Sequence, residues 1–320
     1  MNTNRALSFS GALQLEQLPT YALIDPFFGE PPAWDCITDT AQTFDALADA
    51  RAAVWERQIW VADSPKPLVS PHRLPYLVEL NGARDPLIKQ LCEYAQEEQM
   101  TSADNVASTE YRLGSFVQTS LPPALLMGRL QTMWAYRFGG AAPRYLRIAD
   151  RRVMELLCHL LQPESIAAWL GPIARWHVLS RRGVWISASG ILDETQFDEN
   201  ESLRRVESLS ASALSTARLR PTPAEHLRIA SSEAASRALL LWQRAGKVVD
   251  DSAHRAVWAG IETARTHSLS SPEDLAEFAW RWMANSNCAV QPPLREALEQ
   301  RRNELRPLSE ILDTLSAVAD

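Results

Sequence analysis

From residue 21 to about residue 190, short apolar runs alternate with amphipathic stretches. Tyr21-Ala22-Leu23-Ile24 is a compact apolar run closed by Asp25-Pro26, the pattern of a buried strand ending in a turn. Asp39 to Trp55 carries Phe44, Leu47, Ala48 and Ala52 at helical spacing. Gln58 to Val61 and Tyr76 to Leu80 read as strands, the second closed by the turn pair Asn81-Gly82. Asp85 to Gln96 reads as a helix with Leu87, Leu91 and Tyr94 on one stripe, and Ser115 to Thr119 as a strand. Pro122 to Phe138 reads as a helix with proline near its first turn. The spacing then predicts a strand over Arg144–Ala149, a helix over Asp150–Leu161, and strands over Ile173–Leu179 and Val184–Ser187. Strands alternating with helices indicate layered α/β architecture.

The texture changes after Gly190. An acidic stretch, Asp193 to Glu201, leads into a Ser/Ala-rich segment ending near Arg220, which reads as a solvated linker without the glycine and spacing of a calcium loop. From residue 221 only helical patterns remain. Thr222-Pro223-Ala224-Glu225 is a capping box opening a helix to about Ala245. Asp251 to Thr266 carries Val257, Trp258, Ile261 and Ala264 on one face. Ser271-Pro272-Glu273-Asp274 caps a helix with Leu275, Phe278 and Trp282 in line, and Pro293–Arg302 and Pro307–Val318 complete four or five helices. The expected fold class is therefore α+β or α/β. A mixed α/β lobe spans 1–190, an acidic Ser-rich linker 191–220, and a small all-α lobe 221–320.

Composition narrows the function classes. With 46% hydrophobic and 22% charged residues among 320, the chain is of ordinary globular type. Its formal charge of −7 and pI near 5.5 lack the basic excess of a phosphate-backbone binder, so nucleic acid is not the expected partner. No apolar run approaches the ~20 residues of a membrane span, and no secretory h-region follows Met1. The four Cys (36, 92, 158, 288) show no paired spacing and read as reduced thiols of a cytoplasmic protein. Twelve Gly is low against a usual ~7%, which argues against phosphate-cradling loops. Eleven Trp outnumber eight Phe and six Tyr and supply large packing area for a core or an interface.

No GxSxG, HExxH, GxGxxG or calcium-loop motif occurs, and Ala245-Gly246-Lys247-Val248 reads as a helix C-cap rather than a P-loop. Cys158 and His159, adjacent on a helix, point ~100° apart and cannot form a thiol–imidazole pair; Cys158 falls beside an apolar stripe. The six His show no metal spacing, so neither metal nor cofactor is expected. His72, between Pro71 and Arg73, reads as a solvated loop residue.

The most distinctive segment is Arg144-Tyr145-Leu146-Arg147-Ile148-Ala149-Asp150-Arg151-Arg152-Val153. On a strand, Tyr145, Arg147 and Ala149 share a face, and Asp150 then caps the following helix, where its charge meets the positive end of the dipole. Arg152 lies in that first turn, unfavourable for a cation unless it has a partner. A structural Arg–Asp pair and a direct binding role are the two readings of this junction.

The run Leu146–Val153 resembles the R-x-x-D-P-R-V signature of the Tap/Tec adaptor–chaperones of the bacterial type VI secretion system. Tyr21-Ala22-Leu23-Ile24-Asp25 is similar to the family's Y-A-L-L-D, and Leu74–Leu80 to its P-Y-L-V-x-L. Leu125–Leu130 resembles the helix preceding the signature, and Leu170–Trp176 the family's G-P-I-x-x-W. These matches keep their order over about residues 20–180. The departure is Arg151, where the signature has proline: the turn-fixing residue is missing, while Arg147, Asp150 and Arg152 remain. The resemblance implies a non-enzymatic cytoplasmic protein that binds a cognate toxin effector and loads it onto the VgrG spike, often with a PAAR-type protein. Asp25, Arg147, Asp150, Arg152 and Trp176 are the structural or partner-binding positions it selects. Two other classes stand beside it: an α/β hydrolase-like enzyme with a site assembled from distant residues, and an immunity or regulatory binding protein.

Overall fold

The computed structural model describes residues 7–10, 13–35, 43–61, 69–104, 111–136, 144–190, 222–303 and 306–319. The acidic and Ser-rich stretch read as a linker lies outside the described residues. The chain divides into two compact units, Met1–Thr222 and Pro223–Asp320.

The first unit is built on a seven-stranded sheet: β1 (Leu7–Ser10), β2 (Thr20–Ile24), β3 (Ile59–Val61), β4 (Tyr76–Leu80), β5 (Leu113–Gln118), β8 (Arg175–Leu179) and β9 (Trp185–Ser189). They lie in the order β1-β9-β8-β5-β2-β4-β3, and every neighbouring pair is antiparallel. Helices α1 (Phe44–Trp55), α2 (Pro86–Asp104), α3 (Pro123–Trp134), α4 (Arg151–Leu160) and α5 (Pro163–Leu170) separate the strands in sequence without forming parallel crossovers.

Period-two alternation decides the core. Ala22, Ile24, Tyr76, Val78, Leu80, Phe116, Leu179 and Trp185 pack with Trp55 of α1 and with Leu87, Ile88, Leu91 and Ala95 of α2. Toward the Arg175 end of β8 the register that carries Leu179 continues into His177 and then Arg175, so an apolar stripe becomes a polar patch. Central β2 is buried along its whole length, and β5 carries a bulge: Leu23 pairs with Ser115 but Ile24 with Leu113, leaving Gly114 as the extra residue.

Two sequence expectations change here. The helix from Pro122 stops at Trp134, and Ala135–Tyr136 (β6) pairs with Arg144–Tyr145 (β7) as a separate ribbon. The strand expected over Arg144–Ala149 is cut to that single ribbon. The chain turns at Arg147, whose carbonyl accepts from the Asp150 N–H at 3.0 Å.

The second unit contains six helices among the described residues: α6 (Pro223–Ala230), α7 (Ser232–Arg244), α8 (Asp251–Thr266), α9 (Pro272–Ala284), α10 (Pro292–Asn303) and α11 (Leu308–Ala319). The single helix expected from Thr222 to about Ala245 is broken at Ser231, whose hydroxyl donates to the Leu227 carbonyl at 2.7 Å. Helices α8 and α9 approach so closely that a Cβ on Gly260 would meet Ala279. The Asp274 carboxylate accepts from the Leu308 N–H at 2.7 Å and from Arg301 at 3.0 Å, tying α9 to the start of α11 and to α10. Leu239, Val257, Ile261, Leu275, Phe278 and Ile311 fill the core of this unit.

Candidate functional site

Asp25 follows β2 and caps the 3-10 turn Pro26–Phe28, its Oδ1 accepting from the Phe27 N–H at 3.1 Å. Its own N–H donates to the Arg112 carbonyl at 2.7 Å, which fixes the turn to β5, and its side chain is fully buried. There it meets Arg147, a residue 122 positions away, whose Nε donates to Asp25 Oδ2 at 2.7 Å. Arg147 Nη1 lies 3.5 Å from Asp150 Oδ2. Asp150 caps α4 by accepting the Arg152 N–H at 3.0 Å, and its carboxylate also accepts from Arg152 Nε at 2.9 Å and Nη2 at 2.6 Å. Four charges thus alternate in sign, Asp25, Arg147, Asp150, Arg152, in one network.

The bulge residue Gly114 makes this geometry possible. The Ala149 carbonyl lies directly against it and leaves no room for a Cβ, so the Arg147 turn seats on β5 only where a side chain is missing. Burial and charge then set the carboxyls apart. Burial pushes Asp25 up, Arg147 opposes this, Asp150 adds to it, and the result is about 6. Burial also acts upward on Asp150, but the charge and hydrogen bonds of Arg152, with Arg147 behind them, hold it well below the usual carboxylate range.

The network reaches the surface through aromatic rings. The Arg147 guanidinium sits 4.5 Å from the Phe27 ring centroid and 4.6 Å from that of Phe28, and Phe28 is 48% exposed. Arg152 lies over Tyr111 at 4.9 Å. Arg152 therefore finds its partner in the cap residue itself.

Arg151, standing where the signature has proline, is buried. It donates to the Ala95 carbonyl at 3.1 Å and to Gln99 Oε1 at 3.3 Å, lies 3.7 Å from Glu98 and stacks over Tyr111 at 4.0 Å. Asp150 keeps the extended backbone (φ −70°, ψ 113°) that a following proline would impose, so the turn survives without it. Trp176 is 1% exposed and pairs in register with Val117, which assigns it to the sheet core rather than to the Asp25–Arg152 network. Cys158 is also core: burial, with the Glu155 charge, pushes its thiol up to about 12. His72 is half-buried in a 3-10 turn, and its carbonyl accepts from Arg51.

Two groupings escaped the sequence reading. Arg51, on the inner stripe of α1, is 1% exposed; it pairs with Glu30 at 2.8 Å, Tyr76 donates to that carboxylate at 2.6 Å, and Trp55 donates to Tyr76 at 3.1 Å. The other occupies the polar patch at the Arg175 end of β8. Gln118 Nε2 donates to the Glu16 carbonyl and to Thr20 Oγ1, both at 2.9 Å, while its Oε1 accepts the Glu16 N–H at 3.2 Å. That orientation presents Oε1 to His177 Nε2 at 3.1 Å, so this nitrogen carries the proton. The bare Nδ1 then accepts from the Ser187 hydroxyl at 2.7 Å. Burial, with the charge of Arg175, pulls the imidazole down to about 4 against the opposing pull of Glu16, so the ring is neutral at neutral pH. The usable signal was the alternation Arg175, His177, Leu179 facing Ser189, Ser187, Trp185 across a short hairpin.

Compared with protein-family models, curated proteins and solved structures, the chain matches none of them.

Proposed function

We propose that this chain is an adaptor–chaperone of a type VI secretion system, working in the bacterial cytoplasm, which binds a cognate toxin effector and delivers it to the VgrG spike. Its work at the Arg147 junction is binding rather than catalysis. The observation that carries the reading is the Asp25–Arg147 pair. Two motifs that resemble the family's, far apart in sequence, close on one another in a buried ion network. The carboxyl groups there are engaged by cations and backbone amides. What the network offers a partner is the Phe27–Arg147–Phe28 stack, an aromatic edge with a pinned cation, the kind of group that anchors interfaces.

The test is co-expression with the toxin encoded beside a VgrG gene at the same locus. The toxin's soluble yield rises, and chain, toxin and spike co-elute in size-exclusion chromatography at micromolar concentration. Separate migration of all three ends the adaptor reading. Phe28→Ala, at unchanged melting temperature, weakens capture if the stack is the contact.

A further inference from the structure

We propose that Ser187 is an activated nucleophile, with His177 as its general base and Gln118 as a positioning residue, directed at carboxylic esters that carry an anionic group within reach of Arg175. This inference is independent of the adaptor reading and rests on a different part of the first unit.

The geometry supplies the three relationships that a nucleophile needs. The hydroxyl hydrogen-bonds to a base at 2.7 Å, and the base is held by a third group at 3.1 Å. That third group is itself locked by the Glu16 backbone on both its oxygen and its nitrogen. The lock matters because it decides the tautomer: Gln118 can offer only an acceptor to Nε2, which leaves Nδ1 free for the Ser187 proton. His177 is 2% exposed while Ser187 is half-buried, so the base is sheltered and the hydroxyl lies nearer solvent. Arg175 lies on the same face, two positions along β8, a rise of about 7 Å. Its Nη1 contacts the Ser189 hydroxyl, and its partner Glu16, at 2.8 Å, is 44% exposed. A surface pair of this kind exchanges readily for another anion.

In the reaction, Ser187 Oγ bonds to the ester carbonyl carbon as its proton passes to His177 Nδ1. The bond to the leaving alcohol breaks, and that oxygen takes the proton back, leaving Ser187 acylated. Water, deprotonated by the same nitrogen, then displaces the acyl group as a carboxylic acid and restores the hydroxyl. Gln118 carries no charge to stabilise the imidazolium, so acylation is slow, and labelling rather than turnover is the proper readout.

The full chain is treated with a neutral fluorophosphonate and the adduct mapped by mass spectrometry. It falls on Ser187, persists in Ser189→Ala, and disappears in Ser187→Ala. In His177→Asn with unchanged melting temperature the labelling rate drops about 100-fold or more. Without any substitution, imidazole nitrogen NMR reads the proton on Nε2. With chromogenic esters, a hemisuccinate acylates faster than an acetate, and Arg175→Gln removes that preference. The proposal is overturned by an unlabelled Ser187 in the wild type, by undiminished labelling in folded His177→Asn, or by a ring protonated on Nδ1. Equal rates for the two esters in the wild type overturn the anion-directed part.

Discussion

The two units solve the same problem, fixing secondary elements around an apolar core, by placing charge differently. The sheet unit buries several ion pairs: the side chains of Arg51–Glu30, Arg151–Glu98 and Arg181–Glu155, and the carboxyls of Asp25 and Asp150, are only 0–5% exposed. The helical unit places pairs outside, as in Arg228–Glu262 and in Arg237 with Glu233 and Glu273, while the buried carboxylate of Asp274 serves a structural task. The difference follows from topology. Consecutive helices with frequent capping residues are specified by local pattern. A sheet whose neighbours are distant in sequence needs contacts that reject wrong pairings, and a buried charge left without its partner is costly.

That comparison is most exposed at Arg51. Arg51→Met should strand the Glu30 carboxylate and lower unfolding free energy by about 3–5 kcal/mol, read from urea denaturation. A loss below about 1 kcal/mol would show that burial of charge is incidental to this unit. Next is Arg151→Pro. The backbone accepts it, but Glu98, whose carboxyl burial pushes upward against the pull of Arg151, loses its cation. A cost on the order of 3 kcal/mol is expected, much of it recovered by adding Glu98→Gln.

Asp25→Asn sharpens the electrostatics. A carboxyl raised from 3.8 to about 6 binds more protons folded than unfolded between those values, so its stability contribution is fully present below pH 4 and is lost as pH rises through about 6. Relative to the variant, the wild type should lose about 2–3 kcal/mol across that window, seen in urea midpoints at pH 4 and pH 7. Asp150, displaced the other way, acts only as pH falls below its unfolded value, so the two contributions separate on the pH axis. The smallest effect belongs to the helical unit. Arg237→Ala breaks two half-exposed pairs and should change stability by less than about 1 kcal/mol, with no dependence on Asp25.

How far the sequence carried this picture depended on how local each instruction was. Tyr76–Leu80 and Asp251–Thr266 were readable to the residue, because alternation or a 3.6-residue stripe ran cleanly between a turn pair or a capping Asp and the next break. The Arg144–Ala149 alternation was real yet misleading: Leu146 and Ile148 are buried, but against a turn seated on Gly114, a contact that no local period encodes. The Asp150 cap was legible as a cap and an Arg–Asp pair was one of two readings of the junction, but that the cap itself serves Arg152, two residues on, was not. Arg51 gave no signal at all, because its partner Glu30 sits in a loop without pattern. His177 shows none of the spacing that flags a site, since its two partners come from neighbouring strands, and only the assembled sheet aligns them.

The outermost strand pairing carries a consequence of timing. At one edge of the sheet β1 pairs Leu7 with Ala188 of β9, a partner far along the chain. A ribosome adding ~5–20 residues per second needs roughly 10–35 s to travel between those positions. Throughout that interval β1 waits without its only neighbour in the sheet, β9. Until β9 is made, β1 is therefore an unpaired strand, receptive to any extended segment that reaches it first.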